Sequence, residues 1–228
     1  MLNDIESLFF PNLCLGCNSL LLRNEKSICT NCRHELPLTN YHRIKENPVK
    51  KIFYGRVPVE NATAFFHFEK KSIVQQLIHH LKYKGQEQIG AYIGQWMADE
   101  LKECNDYQNI DIVIPVPLHI KKLHKRGYNQ VSLFAKNIAE GIHATYNDTI
   151  LVKSSNTQTQ TFKNRVTRWQ NDNSVFVLHN TSNVNLNNKH ILLVDDVITT
   201  GATLEACAKV FQSIENVKIS VVTMAVTY

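Results

Sequence analysis

Two stretches of this sequence carry side chains whose types and spacing can do chemistry. The first holds Cys14, Cys17, Cys29 and Cys32, two C-x2-C knuckles with eleven residues between them. Each knuckle offers two sulfurs to one metal ion, and two knuckles complete the tetrahedral thiolate set that zinc favours. In a reducing compartment such pairs are metal sites more often than disulfides. The gap is shorter than the commonest spacing, so disulfides or a degenerate, empty site stand as alternatives. Four protein ligands would close the coordination sphere, which makes the expected zinc structural. His34 and His42 are spare donors for which four sulfurs leave no vacancy. Gly16 suits the tight turn inside the first knuckle. The other two cysteines, Cys104 and Cys207, read as core residues rather than nucleophiles.

The second stretch, residues 191–204, reads ILLVDDVITTGATL. A short apolar run is expected to form a buried strand ending at Asp195 and Asp196. Two adjacent carboxylates there can accept hydrogen bonds from vicinal ribose hydroxyls or hold Mg²⁺, directly or through water. The Thr-Thr-Gly-x-Thr turn that follows opens a helix, and its free N–H groups, hydroxyls and helix dipole suit a phosphate. Gly201 lets the backbone approach the ligand closely. Read together, these groups fit a ribose 5-phosphate. Taken singly, the acids can be solvated strand-end residues and Thr203 a helix cap; the unbroken order of the whole segment argues for the ligand.

These groups need a scaffold. At 228 residues, 43% hydrophobic and 20% charged, the chain suits one sizeable domain plus an appendage. Residues 1–45 read as the four-cysteine zinc module, 46–60 as a linker and 61–228 as the main domain. Ile73, Val74, Leu77, Ile78 and Leu81 lie at helical spacing, as do Val131, Phe134, Ala135, Ile138 and Ile142, and again Leu204, Cys207, Ala208, Phe211 and Ile214. Apolar runs at 112–114, 191–194 and 219–222 read as strands buried on both faces. Helices alternating with such strands predict an α/β fold, a mostly parallel sheet covered on both sides. Ligands of such sheets bind beyond the carboxyl ends of the strands. No apolar run is long enough for a membrane span and the opening residues lack a signal peptide's positive charge, so a cytoplasmic location is expected.

The net charge is +5, but residues 112–139 and 149–171 hold no carboxylate at all. Lys121, Lys122, Lys125, Arg126 and Lys136 populate the first gap, and Lys153, Lys163, Arg165 and Arg168 the second. This suits an anionic ligand, or simply a solvated basic face.

VDDVITTGAT resembles the signature with which type I phosphoribosyltransferases bind phosphoribosyl pyrophosphate (PRPP). The whole chain resembles the ComF family of competence-associated proteins, which join a four-cysteine module to such a domain. Further segments fit that family: Leu81-Lys82-Tyr83-Lys84-Gly85, Pro115-Val116-Pro117-Leu118, Arg126-Gly127-Tyr128-Asn129-Gln130, then Thr157, Gln160, Thr161, Arg168, Asn171 and Phe176. The resemblance implies a type I phosphoribosyltransferase fold with a Rossmann-like sheet. It implies a PRPP site made by Asp195, Asp196, Val197, Ile198, Thr199, Thr200, Gly201, Ala202 and Thr203, with Lys82, Tyr83, Pro117 and Leu118. Asp195, Asp196 and Arg126 would be catalytic, Arg126 by gripping the diphosphate with its planar fork. Gln160, Arg168 and Asn171 would lie on a loop that closes over PRPP and excludes water. The implied reaction transfers a phosphoribosyl group from PRPP, held with Mg²⁺, to an unnamed acceptor and releases pyrophosphate. Thr199 stands where purine-salvaging members often carry a carboxylate, which resembles the orotate-type arrangement instead. The implied partners are PRPP, pyrophosphate, single-stranded DNA and proteins of the competence machinery, and a non-catalytic accessory role is the rival reading. Phe65, Phe66, Phe68 and Trp169 are available to stack bases, although aromatics more often pack cores.

Overall fold

The computed structural model describes residues 11–154, 175–179 and 184–228. In chain order its elements are α1 (Thr30–Glu35), α2 (Pro48–Lys51), β1 (Ala62–His67), α3 (Ile73–Tyr83), α4 (Gln88–Lys102), β2 (Ile112–Pro115), α5 (Ile120–Arg126), α6 (Ser132–Gly141), β3 (Thr145–Tyr146), β4 (Leu151–Lys153), β5 (Phe176–Leu178), β6 (His190–Ile198), α7 (Ala202–Val210) and β7 (Lys218–Val226). Five strands form one sheet in the order β1-β7-β6-β2-β3. All four neighbouring pairs are parallel. The remaining strands, β4 and β5, make a separate antiparallel ribbon.

Side chains alternate across a strand, so a central parallel strand feeds two cores. Leu192 and Val194 of β6 pack with Leu77, Phe134 and Ile138, while Ile191 and Leu193 pack with Leu204, Cys207 and Phe211. Helices α3, α4 and α6 cover the first face, and α7 covers the second. The periodic apolar positions of α3 and α6 are the buried ones, as their spacing requires. Helix α7 is shorter than its apolar repeat: it ends at Val210, and Phe211 and Ile214 follow in turns.

Several elements go beyond the reading of the sequence, strand β1 among them, and two of these bear on the site. Strand β6 continues through Asp195 and Asp196 to Ile198, because β7 runs beside it and pairs Asp195 with Thr223, Val197 with Ala225 and Ile198 with Val226. Helix α4 had no counterpart in that reading. Its apolar positions Ile89, Ile93, Met97 and Leu101 are interrupted by Gly90 and Gly94, which look like breaks. At Gly94 the absent side chain is a packing requirement: a Cβ would lie 2.6 Å from the Phe134 carbonyl oxygen of α6.

The cysteine module lies against the first face of the sheet. Cys14, Ile28, Cys29, Cys32 and Leu36 share a core with Leu77 and Leu81, and the Arg33 guanidinium sits 4.6 Å from the Trp96 ring centroid. Residues 46–60 contribute Val49, Phe53 and Val57 to the second core. No helix among the described residues is long and apolar enough to cross a membrane.

Strand β2 connects through α6 to β3 on one side, whereas β6 connects through α7 to β7 on the other. Neighbouring strands β2 and β6 therefore part at their carboxyl ends, and such a switch point leaves a crevice between the two outgoing loops. Those loops are the Pro117-Leu118 segment and the Thr199–Gly201 turn.

Candidate functional site

Because β6 is extended through both acids, Asp195 and Asp196 point to opposite faces of the sheet. Asp196 faces the α3 and α6 side, is 7% exposed and is fully engaged. Its Oδ1 accepts from the Val197 N–H at 2.6 Å. Its Oδ2 accepts from Gln130 Nε2 at 2.7 Å and pairs with Lys82 Nζ at 2.8 Å. Asp195 is half-buried and its Oδ1 accepts from the Asp196 N–H at 2.8 Å. Among the described residues its second oxygen has no hydrogen-bond partner. Burial, and next the Asp196 charge, push the Asp195 carboxyl up to about 7. Lys153 at the end of β4 is a weaker counterweight. A cation or a hydroxyl-bearing ligand placed there would draw that proton off.

The turn after β6 is open. Thr199, Thr200, Ala202 and Thr203 are exposed, whereas Val197 is half-buried and Ile198 buried. Gly201 takes a left-handed conformation, φ +73°, at the N-cap of α7, and a Cβ on it would lie 2.5 Å from Ile52 Cγ2. Both the dihedral and the close approach demand glycine. Thr203 is not the cap; it lies in the first turn of α7, whose N–H groups have no intrahelical acceptors. Arg56 steadies the turn, donating to the Thr200 carbonyl at 2.6 Å and pairing with Glu205.

On the other wall, the Val116 N–H donates to Val194 O at 2.8 Å, tying the Pro117-Leu118 loop to β6. Four residues of the Arg-Gly-Tyr-Asn-Gln motif make side-chain contacts, each with its own target. The Arg126 guanidinium donates to Gln130 Oε1 and lies 5.5 Å from the Tyr83 ring centroid. Tyr128 donates its hydroxyl to Leu81 O, Asn129 donates to Val116 O at 3.0 Å, and Gln130 reaches Asp196. Lys82, Tyr83, Arg126 and Asp196 are thus brought together from three elements. Gln160, Arg168 and Asn171 lie outside the described residues.

Sequence reasoning quoted Gln130 without giving it a role. An amide that opens an otherwise apolar helical repeat was the available signal. Arg56, in a segment that reads as linker, carried no signal at all. Of the aromatics, Phe65 and Phe66 are each 1% exposed and Phe68 packs on the core, so they fill the interior; Trp169 lies outside the described residues.

The four knuckle sulfurs lie within 4.8 Å of one another, with Cys17 and Cys29 Sγ 3.7 Å apart. A zinc–sulfur bond of about 2.3 Å places tetrahedral sulfurs about 3.8 Å apart, so the set fits the ion. N–H groups of Gly16 and Cys29 point at Cys14 Sγ at 3.4 and 3.2 Å, and that of Cys32 at Cys29 Sγ at 3.4 Å. Such donors stabilise thiolates. The four cysteines can therefore hold a metal ion such as zinc. Cys207 is fully buried and its thiol is pushed up by that burial, which keeps it inert.

A family model described as the phosphoribosyl transferase domain matches residues 130–228. The DNA utilization protein YhgH of Shigella flexneri is 25% identical over 200 residues, 86% of this chain and 82% of that protein. Competence protein F of Haemophilus influenzae is 26% identical over 209 residues, covering 89% and 85%. Competence protein ComFC of Streptococcus pneumoniae is 24% identical over 203 residues, covering 88% and 81%. The transferase match begins at the glutamine that closes the Arg126 motif, and all three relatives align along more than four-fifths of a chain that also carries the cysteine quartet; over that length the chain is similar to these competence and DNA utilization proteins.

Proposed function

We propose that this chain binds PRPP with Mg²⁺ in the crevice between β2 and β6 and transfers its phosphoribosyl group to an acceptor, releasing pyrophosphate, in a process that serves DNA uptake. The observation that carries the reading is the Asp195 carboxyl, whose second oxygen has no partner among the described residues, standing beside an exposed, glycine-dependent turn at a switch point. In this reading Asp195 accepts from the ribose hydroxyls or holds the magnesium ion. The first-turn N–H groups of α7, with Thr199, Thr200 and Thr203, take the 5-phosphate. Arg126 and the Pro117-Leu118 loop receive the diphosphate, and Lys82 and Tyr83 border it. Asp196 acts through what it holds in place. Magnesium, when bound, neutralises charge on the departing diphosphate. The protein's own contribution is placement and charge stabilisation in a preorganised crevice. No side chain of the turn can accept the acceptor's proton, Thr199 included, so the acceptor must be acidic enough to arrive deprotonated or bring its own base. The cysteine module, with zinc, is structural and works in a reducing cytoplasm.

One feature favours an accessory role beside or instead of transfer. Helix α5 buries none of its residues and displays Lys121, Lys122 and Lys125 next to the crevice. A cationic helix of this kind suits the phosphates of single-stranded DNA. Calorimetric titration with PRPP and Mg²⁺ tests the site: wild type should bind and Asp195→Ala should not. Equal affinities would remove the basis of the assignment. Pyrophosphate release with a panel of bases and amines then decides for the enzyme, whereas salt-sensitive DNA retention without release decides for the accessory.

A further inference from the structure

We infer that Gln130 is a positioning residue that couples the diphosphate end of the crevice to its ribose end, an inference that rests on the phosphoribosyl reading above. The residue is 6% exposed, and its side chain sits between two groups of fixed polarity. On one side Asp196 Oδ2 can only accept, and it receives Gln130 Nε2 at 2.7 Å. On the other side the Arg126 guanidinium can only donate, and it donates to Gln130 Oε1. A carboxylate and a guanidinium leave one orientation for an amide between them, nitrogen toward the acid and oxygen toward the arginine. Neither neighbour permits the flipped amide.

The consequence is a single connected unit drawn from three elements and the loop before a fourth. Lys82 of α3 and Gln130, just before α6, meet at Asp196 of β6, and Gln130 passes the connection to Arg126 at the end of α5. Helix α5 buries none of its residues, so packing does not fix where Arg126 points. The Gln130 carbonyl and the Tyr83 ring fix it instead. Gln130 touches no ligand in this scheme, yet removing its amide frees the guanidinium that meets the diphosphate. It also takes one of three donors from the acid at the ribose end. Glutamine does this where leucine or methionine of similar volume cannot, because its uncharged amide donates from one end and accepts at the other while their side chains offer no donor to the acid.

The charged and titratable groups facing Gln130 are Asp196 from β6, Lys82 from α3 and Arg126 from α5, and they give the test its signature. In Gln130→Glu, a protonated glutamic acid donates to Asp196 and accepts from Arg126, reproducing the amide. Ionised, it confronts Asp196 with a second negative charge and neutralises Arg126. Pyrophosphate affinity is measured calorimetrically with Mg²⁺ on the full chain at pH 5.5 and pH 8, for wild type, Gln130→Met and Gln130→Glu, each relative to wild type at the same pH. Gln130→Met should bind about tenfold more weakly at both pH values. Gln130→Glu should be at least as weak at pH 8 and recover toward wild type at pH 5.5. Thermal melting reports folding of each variant, and if Gln130→Met does not fold, the pH-dependent recovery of Gln130→Glu carries the comparison. Wild-type affinity in Gln130→Met, or a Gln130→Glu defect that is the same at both pH values, overturns the coupling role alone. Failure of wild type to bind pyrophosphate or PRPP overturns the phosphoribosyl reading, and the coupling role with it.

Discussion

The two adjacent acids should behave as opposites when each is replaced by alanine. Asp196→Ala strips a buried acceptor from Lys82, Gln130 and the Val197 N–H at once. Breaking a buried ion pair costs about 3–5 kcal/mol, but the Lys82 side chain is 23% exposed and can swing toward water, which discounts the loss to ~2 kcal/mol. The two orphaned N–H donors add ~1 kcal/mol between them. A total of ~3 kcal/mol, in a chain of this size, lowers the melting temperature by roughly 6–12 °C. Asp195→Ala removes one acceptor, that of the Asp196 N–H, and also removes a carboxyl that burial and its neighbour already disfavour as an anion. Its melting temperature should stay within about 3 °C of wild type, while PRPP binding is lost. Replacing both partners of the ion pair, Lys82→Met with Asp196→Leu, should recover more than half of the stability lost in Asp196→Leu alone, since an apolar pair leaves no uncompensated charge. Thermal unfolding followed by circular dichroism reads all four variants. Equal destabilisation by the two alanine changes, or a double variant no better than Asp196→Leu, would refute the division of labour between the acids.

Three further outcomes follow from the geometry. Gly201→Ala must hold a left-handed residue and displace Ile52, so urea unfolding should show a loss of about 2–4 kcal/mol, part of it recovered by Ile52→Ala; an unchanged midpoint contradicts the close approach. The Asp195 carboxyl is raised in the folded state from 3.8 to about 7, so the folded protein holds a proton there that the unfolded chain has released. Stability from this group is therefore intact below about pH 4 and is lost as pH rises toward 7. Asp195→Asn should gain on wild type across that window, and a constant gap between pH 4 and pH 8 would count against it. Zinc removal by a chelator should loosen α1 and release Arg33 from the Trp96 ring, changing tryptophan emission in a Trp169→Phe background. Chelation that removes bound zinc and leaves both emission and melting untouched would show that the ion does not support the module.

Some of this architecture could be read from neighbours along the chain. The knuckle spacing, the helical repeat of α3 and α6 and the β-branched run of β6 are local patterns, and local periodicity directly reports which face of an element meets a core. The glycine-threonine turn was equally legible, because αL geometry at a helix start calls for a specific residue. Helix α4 was not, because Gly90 and Gly94 read as interruptions until α6 is seen lying against them. The end of β6 was not, because the ladder supplied by β7 carries the strand past the point where apolar residues stop.

Sequence alone therefore determined the inventory: four thiolates, two acids, a phosphate-suited turn and a basic motif, each recognisable from residues close together in the chain. Tertiary structure decided which acid keeps an oxygen without a partner among the described residues. Extended geometry turns Asp195 and Asp196 to opposite faces, and Lys82 and Gln130, remote from them in sequence, then claim Asp196 alone. A pairing of that kind depends on strand register and on which helix crosses which face, and residues brought together by topology leave no local pattern to read.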